Sequence, residues 1–152
     1  MFSKTQVRQY PRQQQRGFSL IELLFVVTII GIIASMAMPG VSRARHYANS
    51  GSAIQSLRTI TSAEYMYERT HQAYATLNTL YTEALVYGDL GEGHKSGYTF
   101  EILVGPTSKT FTCKATPTGD TGSLDYFFVD ETGVIRFNTG APADATSDPI
   151  AW

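Results

Sequence analysis

From Phe18 to Val41 the chain reads FSLIELLFVVTIIGIIASMAMPGV, 24 residues carrying one charge, Glu22. No polar stripe interrupts this run, so the pattern predicts a helix that is apolar all round. Such a helix is about 36 Å long and exceeds a hydrocarbon core of about 30 Å. Past Val41 the pattern changes. Over residues 42–70, Ala53, Ile54, Leu57, Ile60, Thr61 and Tyr65 fall on one helical face, with Gln55, Arg58 and Ser62 opposite. The same helix is therefore expected to continue in amphipathic form, interrupted in pattern only at Gly51.

Residues 71–97 lose periodicity. Tyr74, Leu77, Leu80, Tyr81, Leu85 and Tyr87 can anchor a connecting loop or a short helix, and Gly88, Gly91, Gly93 and Gly97 mark an open, turn-rich stretch. Period-two alternation then takes over. Tyr98, Phe100, Ile102 and Val104 alternate with Thr99, Glu101 and Leu103, and Phe111, Cys113 and Ala115 with Thr110, Thr112 and Lys114. Residues 124–129 and 134–137 form a hairpin through Asp130-Glu131-Thr132-Gly133. Gly105-Pro106 and Thr118-Gly119-Asp120 supply the other turns. The expected fold is α+β: a long N-terminal helix packed on a four-stranded antiparallel sheet over residues 98–138, followed by an irregular tail over 139–152.

Charge adds direction. Lys4, Arg8, Arg12 and Arg16 give residues 1–17 a charge of +4 with no acid, whereas residues 18–152 carry a net −5. Four Lys/Arg precede the apolar run and two, Arg43 and Arg45, follow closely, which keeps the N-terminus in the cytoplasm. The formal net charge of −1 gives no bulk attraction for nucleic acid. One cysteine excludes an intramolecular disulfide framework and a multi-cysteine zinc site. Two residues do not suit a plain anchor. Glu22 is a carboxylate in an apolar run, either a functional charge or one that snorkels to the headgroups. Pro39 lacks an N–H and is expected to bend or break the helix near its end.

The junction Arg16-Gly17-Phe18-Ser19-Leu20-Ile21-Glu22-Leu23 resembles the processing site of the type IV pilin family. The resemblance covers residues 12–41 closely and the rest in layout, and the stretch YFFVDETGVIRF is similar to the last hairpin of many pilins and pseudopilins. It implies a leader ending at Gly17, cleavage by a prepilin peptidase that also methylates the new N-terminus at Phe18, and a filament-assembly role for Phe18 and Glu22. Gly31 and Pro39 fall where the family carries helix-loosening residues. The implied product is a homopolymer of copies of this chain, held as a single-pass bacterial inner-membrane precursor and then assembled into an extracellular type IV pilus. An assembly platform and a separate cytoplasmic ATPase are the implied partners. A pseudopilin of a type II secretion system, or a minor pilin, is the alternative within the family. The family's C-terminal cysteine pair does not carry over, because Cys113 stands alone.

From another class, small residues at Ser35 and Ala37 allow a general signal-peptidase cut, which would release a secreted binding module starting at Met38. Enzyme chemistry finds little footing. Gly88-Asp89-Leu90-Gly91-Glu92-Gly93-His94-Lys95-Ser96 approaches a phosphate-binding loop, but His94 stands where the motif needs Lys. His46, His71 and His94 are far apart in sequence, and Cys113 is expected at an inward strand position. Asp144 and Asp148 fall short of the six to eight oxygens calcium takes. No catalytic residue, cofactor or metal is expected.

Overall fold

The computed structural model describes residues 17–119 and 124–150, and of 37–39 the backbone alone. The basic leader before Gly17, Asp120 and the side chain of Pro39 lie outside the described residues. The chain divides into two compact units, Met1–Gly40 and Val41–Trp152. Helix α1 (Leu20–His71) contributes residues to both. It is helical through Gly31 and through Pro39, where the sequence predicts a bend or break. A single Pro costs a helix about 3 kcal/mol. That cost is local, and long helical stretches on either side outweigh it.

The second unit is an α+β domain. After α1 come α2 (Leu77–Thr82), α3 (Gly88–Gly91), β1 (His94–Lys95), β2 (Tyr98–Val104), β3 (Phe111–Pro117), β4 (Asp125–Asp130), β5 (Arg136–Thr139) and β6 (Asp148–Pro149). The strands form one antiparallel sheet in the order β1-β2-β3-β4-β5-β6, so every neighbour in sequence is a neighbour in space. The sequence predicts four strands and among the described residues the sheet has six, the extra pair being two-residue strands at the two edges. Register aligns the inward residues into rows. Phe100 pairs with Ala115, which pairs with Phe127, which pairs with Phe137; Ile102 pairs with Cys113, and Cys113 with Val129. These rows share one core with Ala53, Leu57, Ile60 and Ala63 of α1. Each large apolar side chain buried there contributes roughly 1.5–3 kcal/mol.

Residues 71–97 take the short-helix alternative, as α2 and α3; Leu80, Leu90 and, from the link between the two helices, Val86 are buried in the core. Two features differ from the sequence reading. Strand β4 is buried on both faces. Phe127 and Val129 join the main core, while Tyr126 and Phe128 pack with Ala143 of the tail. Alternation is invisible in a strand covered on both sides, because both faces then select apolar residues. The tail closes that second face, and β6 secures it by pairing Asp148 with Phe137. Tyr65, expected on the buried face of α1, is 39% exposed. Its hydroxyl donates to the Glu131 carbonyl at 3.1 Å, a polar contact that keeps the ring at the margin.

Candidate functional site

The first unit carries the residues that the sequence reading links to processing and assembly. Helix α1 opens just after Ser19, whose carbonyl accepts the Leu23 N–H at 3.2 Å. Gly17 and Phe18 precede it, and Glu22 lies in its first turn. A carboxylate there faces the partial positive charge of the helix N-terminus. Ser19 and Glu22 also have capping-box spacing. Neither reciprocal capping bond forms, however, and among the described residues Glu22 has no hydrogen-bond or ion-pair partner.

Around Glu22 the surface is apolar. Phe18 is 79% exposed, and Leu20, Ile21, Leu23, Leu24, Phe25, Ile30 and Ile33 are all more than half exposed. A contiguous apolar surface of this kind marks a membrane or protein contact. The few polar groups within it are satisfied locally. The Thr28 hydroxyl donates to the Leu24 carbonyl at 2.7 Å and the Ser35 hydroxyl to the Ile32 carbonyl at 2.8 Å. Ile21, Leu24, Phe25, Thr28, Ile29 and Ile32 line a shallow apolar groove along one helical face. A Cβ added at Gly31 would meet nothing within 4 Å, so packing inside the chain does not require that glycine.

The second unit holds the groups that fix the head. The Tyr98 hydroxyl donates to the Asp125 carbonyl at 2.9 Å. That spends its hydrogen, so at 3.2 Å it accepts from the Ser50 hydroxyl, tying α1 to β2 and β4. Burial pushes the Tyr98 phenol up, and the Asp125 charge adds to that. Sequence reasoning misses Glu64. It is fully buried on α1, where its Oε2 accepts the Ala75 N–H at 2.9 Å. Its Oε1 has no partner among the described residues. Burial raises its pKa to about 7, opposed by the Ala75 bond. Burial likewise pushes the Cys113 thiol far up, with the Glu64 charge a smaller cause.

His46, His71 and His94 are exposed and far apart in the chain, with His71 stacked on Tyr67 at 4.0 Å between ring centres. The glycine-rich stretch folds as α3 followed by β1, without the strand-then-helix setting that phosphate binding needs. In the tail, the Asp144 carboxylate accepts the Thr146 N–H at 2.8 Å and its hydroxyl at 2.7 Å, which holds its pKa down. No group of three or more His, Cys, Asp or Glu is placed to hold a metal among the described residues.

Comparison with known proteins places these features. The family described as prokaryotic N-terminal methylation motif matches residues 12–38. The chain is 32% identical over 128 residues to the type II secretion system core protein G of Pseudomonas aeruginosa, covering 80% of this chain and 87% of that one. It is 28% identical over 127 residues to the protein of the same name from Klebsiella michiganensis, covering 81% and 88%. With its relative from Klebsiella pneumoniae it shares 27% over 131 residues, covering 83% and 91%. The methylation motif supports the type IV pilin-like reading of the junction. The preference for a pilus subunit gains no support, because these relatives carry the secretion-system name that stood as the alternative. The chain belongs to the family of type II secretion system core protein G.

Proposed function

We propose that this chain is the repeating subunit of a type II secretion pseudopilus, a periplasmic filament built from copies of itself. It is a structural subunit and not an enzyme. The observation that carries the reading is the extent of the match to core protein G. The methylation motif stops at residue 38, whereas the similarity to the Pseudomonas relative covers 80% of this chain and 87% of that protein, so it reaches well into the sheet.

In this account the precursor sits in the inner membrane through residues 18–41, N-terminus inside. A prepilin peptidase cuts after Gly17 and methylates the amine of Phe18. Assembly lifts the apolar helix from lipid into a bundle of identical helices, driven by an ATPase on a separate platform. Glu22 of one subunit then pairs with the Phe18 amine of a neighbour. A carboxylate in an apolar bundle is costly alone and tolerable when paired. The pair sets axial register, as single polar residues do in coiled coils. Gly31 and Pro39 weaken the helix between them, by roughly 1 and 3 kcal/mol relative to Ala, and ease local unwinding during packing.

Disruption of the gene tests the reading. A pseudopilus subunit predicts loss of extracellular enzyme secretion with surface fibres unchanged. Loss of surface fibres with secretion intact would return the chain to a type IV pilus.

A further inference from the structure

Just past the apolar run, α1 and the start of β4 flank an open cavity of about 230 Å³ lined by Arg43, His46, Tyr47, Ser50, Leu124 and Asp125. We propose that this cavity is a headgroup site for an aminophospholipid, a lipid whose head combines a phosphodiester with a primary ammonium. The site belongs to the membrane-resident subunit. It rests on the reading that residues 18–41 sit in the bilayer before assembly, and it goes beyond the filament role.

Position is the first observation. Arg43 lies two residues beyond Val41, about 3 Å of helix rise, and His46 five residues, about 7 Å. A headgroup layer is roughly 5–7 Å deep on each side of the hydrocarbon core. Arg43, His46, Tyr47 and Ser50 follow at intervals of three, one and three, so a single face of α1 presents them. Tyr47 is 77% exposed, an aromatic at the depth where interfacial Tyr and Trp gather.

Charge is the second. Arg43 and His46 have no hydrogen-bond or ion-pair partner among the described residues. Asp125 faces the same cavity without forming an ion pair to either. Its Oδ1 accepts the Thr139 hydroxyl at 2.6 Å, and its Oδ2 takes no bond among the described residues. One cavity thus presents donors and a carboxylate that do not close onto each other. A phosphate suits Arg43 and His46, and an ammonium suits Asp125. A purely anionic head would meet the carboxylate, and a trimethylated amine would offer it no N–H. Two of the lining residues, Ser50 and Asp125, are joined through Tyr98, whose hydroxyl accepts from Ser50 and donates to the Asp125 carbonyl. The volume lies below the 300–1,000 Å³ of drug-sized pockets and fits a head rather than a whole lipid.

The test uses the full chain in nonionic-detergent micelles, with amide chemical shifts followed by NMR. Short-chain phosphatidylethanolamine, phosphatidylcholine and phosphatidylglycerol are titrated separately. Saturable shifts are expected at Tyr47, Ser50 and Leu124, half-saturating with the ethanolamine lipid at a concentration roughly two- to fivefold below the choline lipid, the range of an exposed ion pair. Asp125→Asn retains an acceptor for Thr139 and should erase that preference. Arg43→Gln should weaken both lipids alike. Equal response to all three lipids with Asp125→Asn unchanged would overturn the site, as would tightest binding of the glycerol lipid. Absence of shifts from a chain that still inserts would overturn the site and leave membrane anchoring intact. Failure to insert would instead remove the reading beneath it.

Discussion

Glu64→Gln is the most informative change in the head. Glu64 is fully buried between α1 and the chain that follows it, with Cys113 of β3 and Tyr74 among the groups it influences. Among the described residues no cation neutralises it. Its pKa rises from an ordinary value of 4.5 to about 7, so the folded state keeps its proton where the unfolded chain has released it. The sign follows from linkage. Stability is greatest below 4.5, where both states hold the proton, falls as pH rises towards about 7, and is level above that. At about 1.36 kcal/mol per pH unit, the interval bounds the loss at about 3 kcal/mol between pH 4.5 and pH 8. Gln keeps a carbonyl for the Ala75 N–H and cannot ionise. Urea unfolding of the full chain in micelles, followed by near-ultraviolet circular dichroism, should show wild type weakening over this interval. The variant should lack that component and be the more stable protein at pH 8. Parallel pH profiles for the two proteins would refute the reasoning, because they would mean that Glu64 is solvated or paired in solution.

Leu57→Ala removes a fully buried side chain from the contact of α1 with the sheet, and should cost about 2–5 kcal/mol in the same unfolding assay. Cys113 is fully buried and its thiol is pushed far up, so native protein should resist alkylation at pH 8 and react fully in urea; rapid native labelling would contradict this. Glu22→Val should still insert into the membrane but fail to enter filaments beside wild type, checked by co-purification of tagged subunits. Normal incorporation would end the register role.

How much of this was legible in the sequence depends on how each residue is covered. Ala53, Leu57 and Ile60 repeat at helical spacing against one partner, so periodicity finds them. Strand β2 is covered on one face, and Tyr98, Phe100 and Ile102 are buried where alternation places them. Strand β4 defeats alternation because Ala143 from the tail covers its second face, and nothing in a tail rich in Ala, Asp and Thr announces that contact. Glu64 is hidden for another reason. An acid beside Tyr65 reads as solvated surface, and only the fold brings the Ala75 N–H to it. Glu22 was visible because a charge inside an apolar run stands out from its neighbours. The lipid cavity was half visible. Arg43 and His46 show as polar residues beyond the run, but Asp125 joins them in lining the cavity only through the pairing that sets β4 in the sheet.

The central claim is that a freed Phe18 begins the subunit and that Glu22 of a neighbour answers its amine. Mass spectrometry of the N-terminal peptide from assembled filaments tests it most directly. The expected peptide starts at N-methylated Phe18. A mature chain starting at Met38, or one that retains the leader while still assembling, would contradict it.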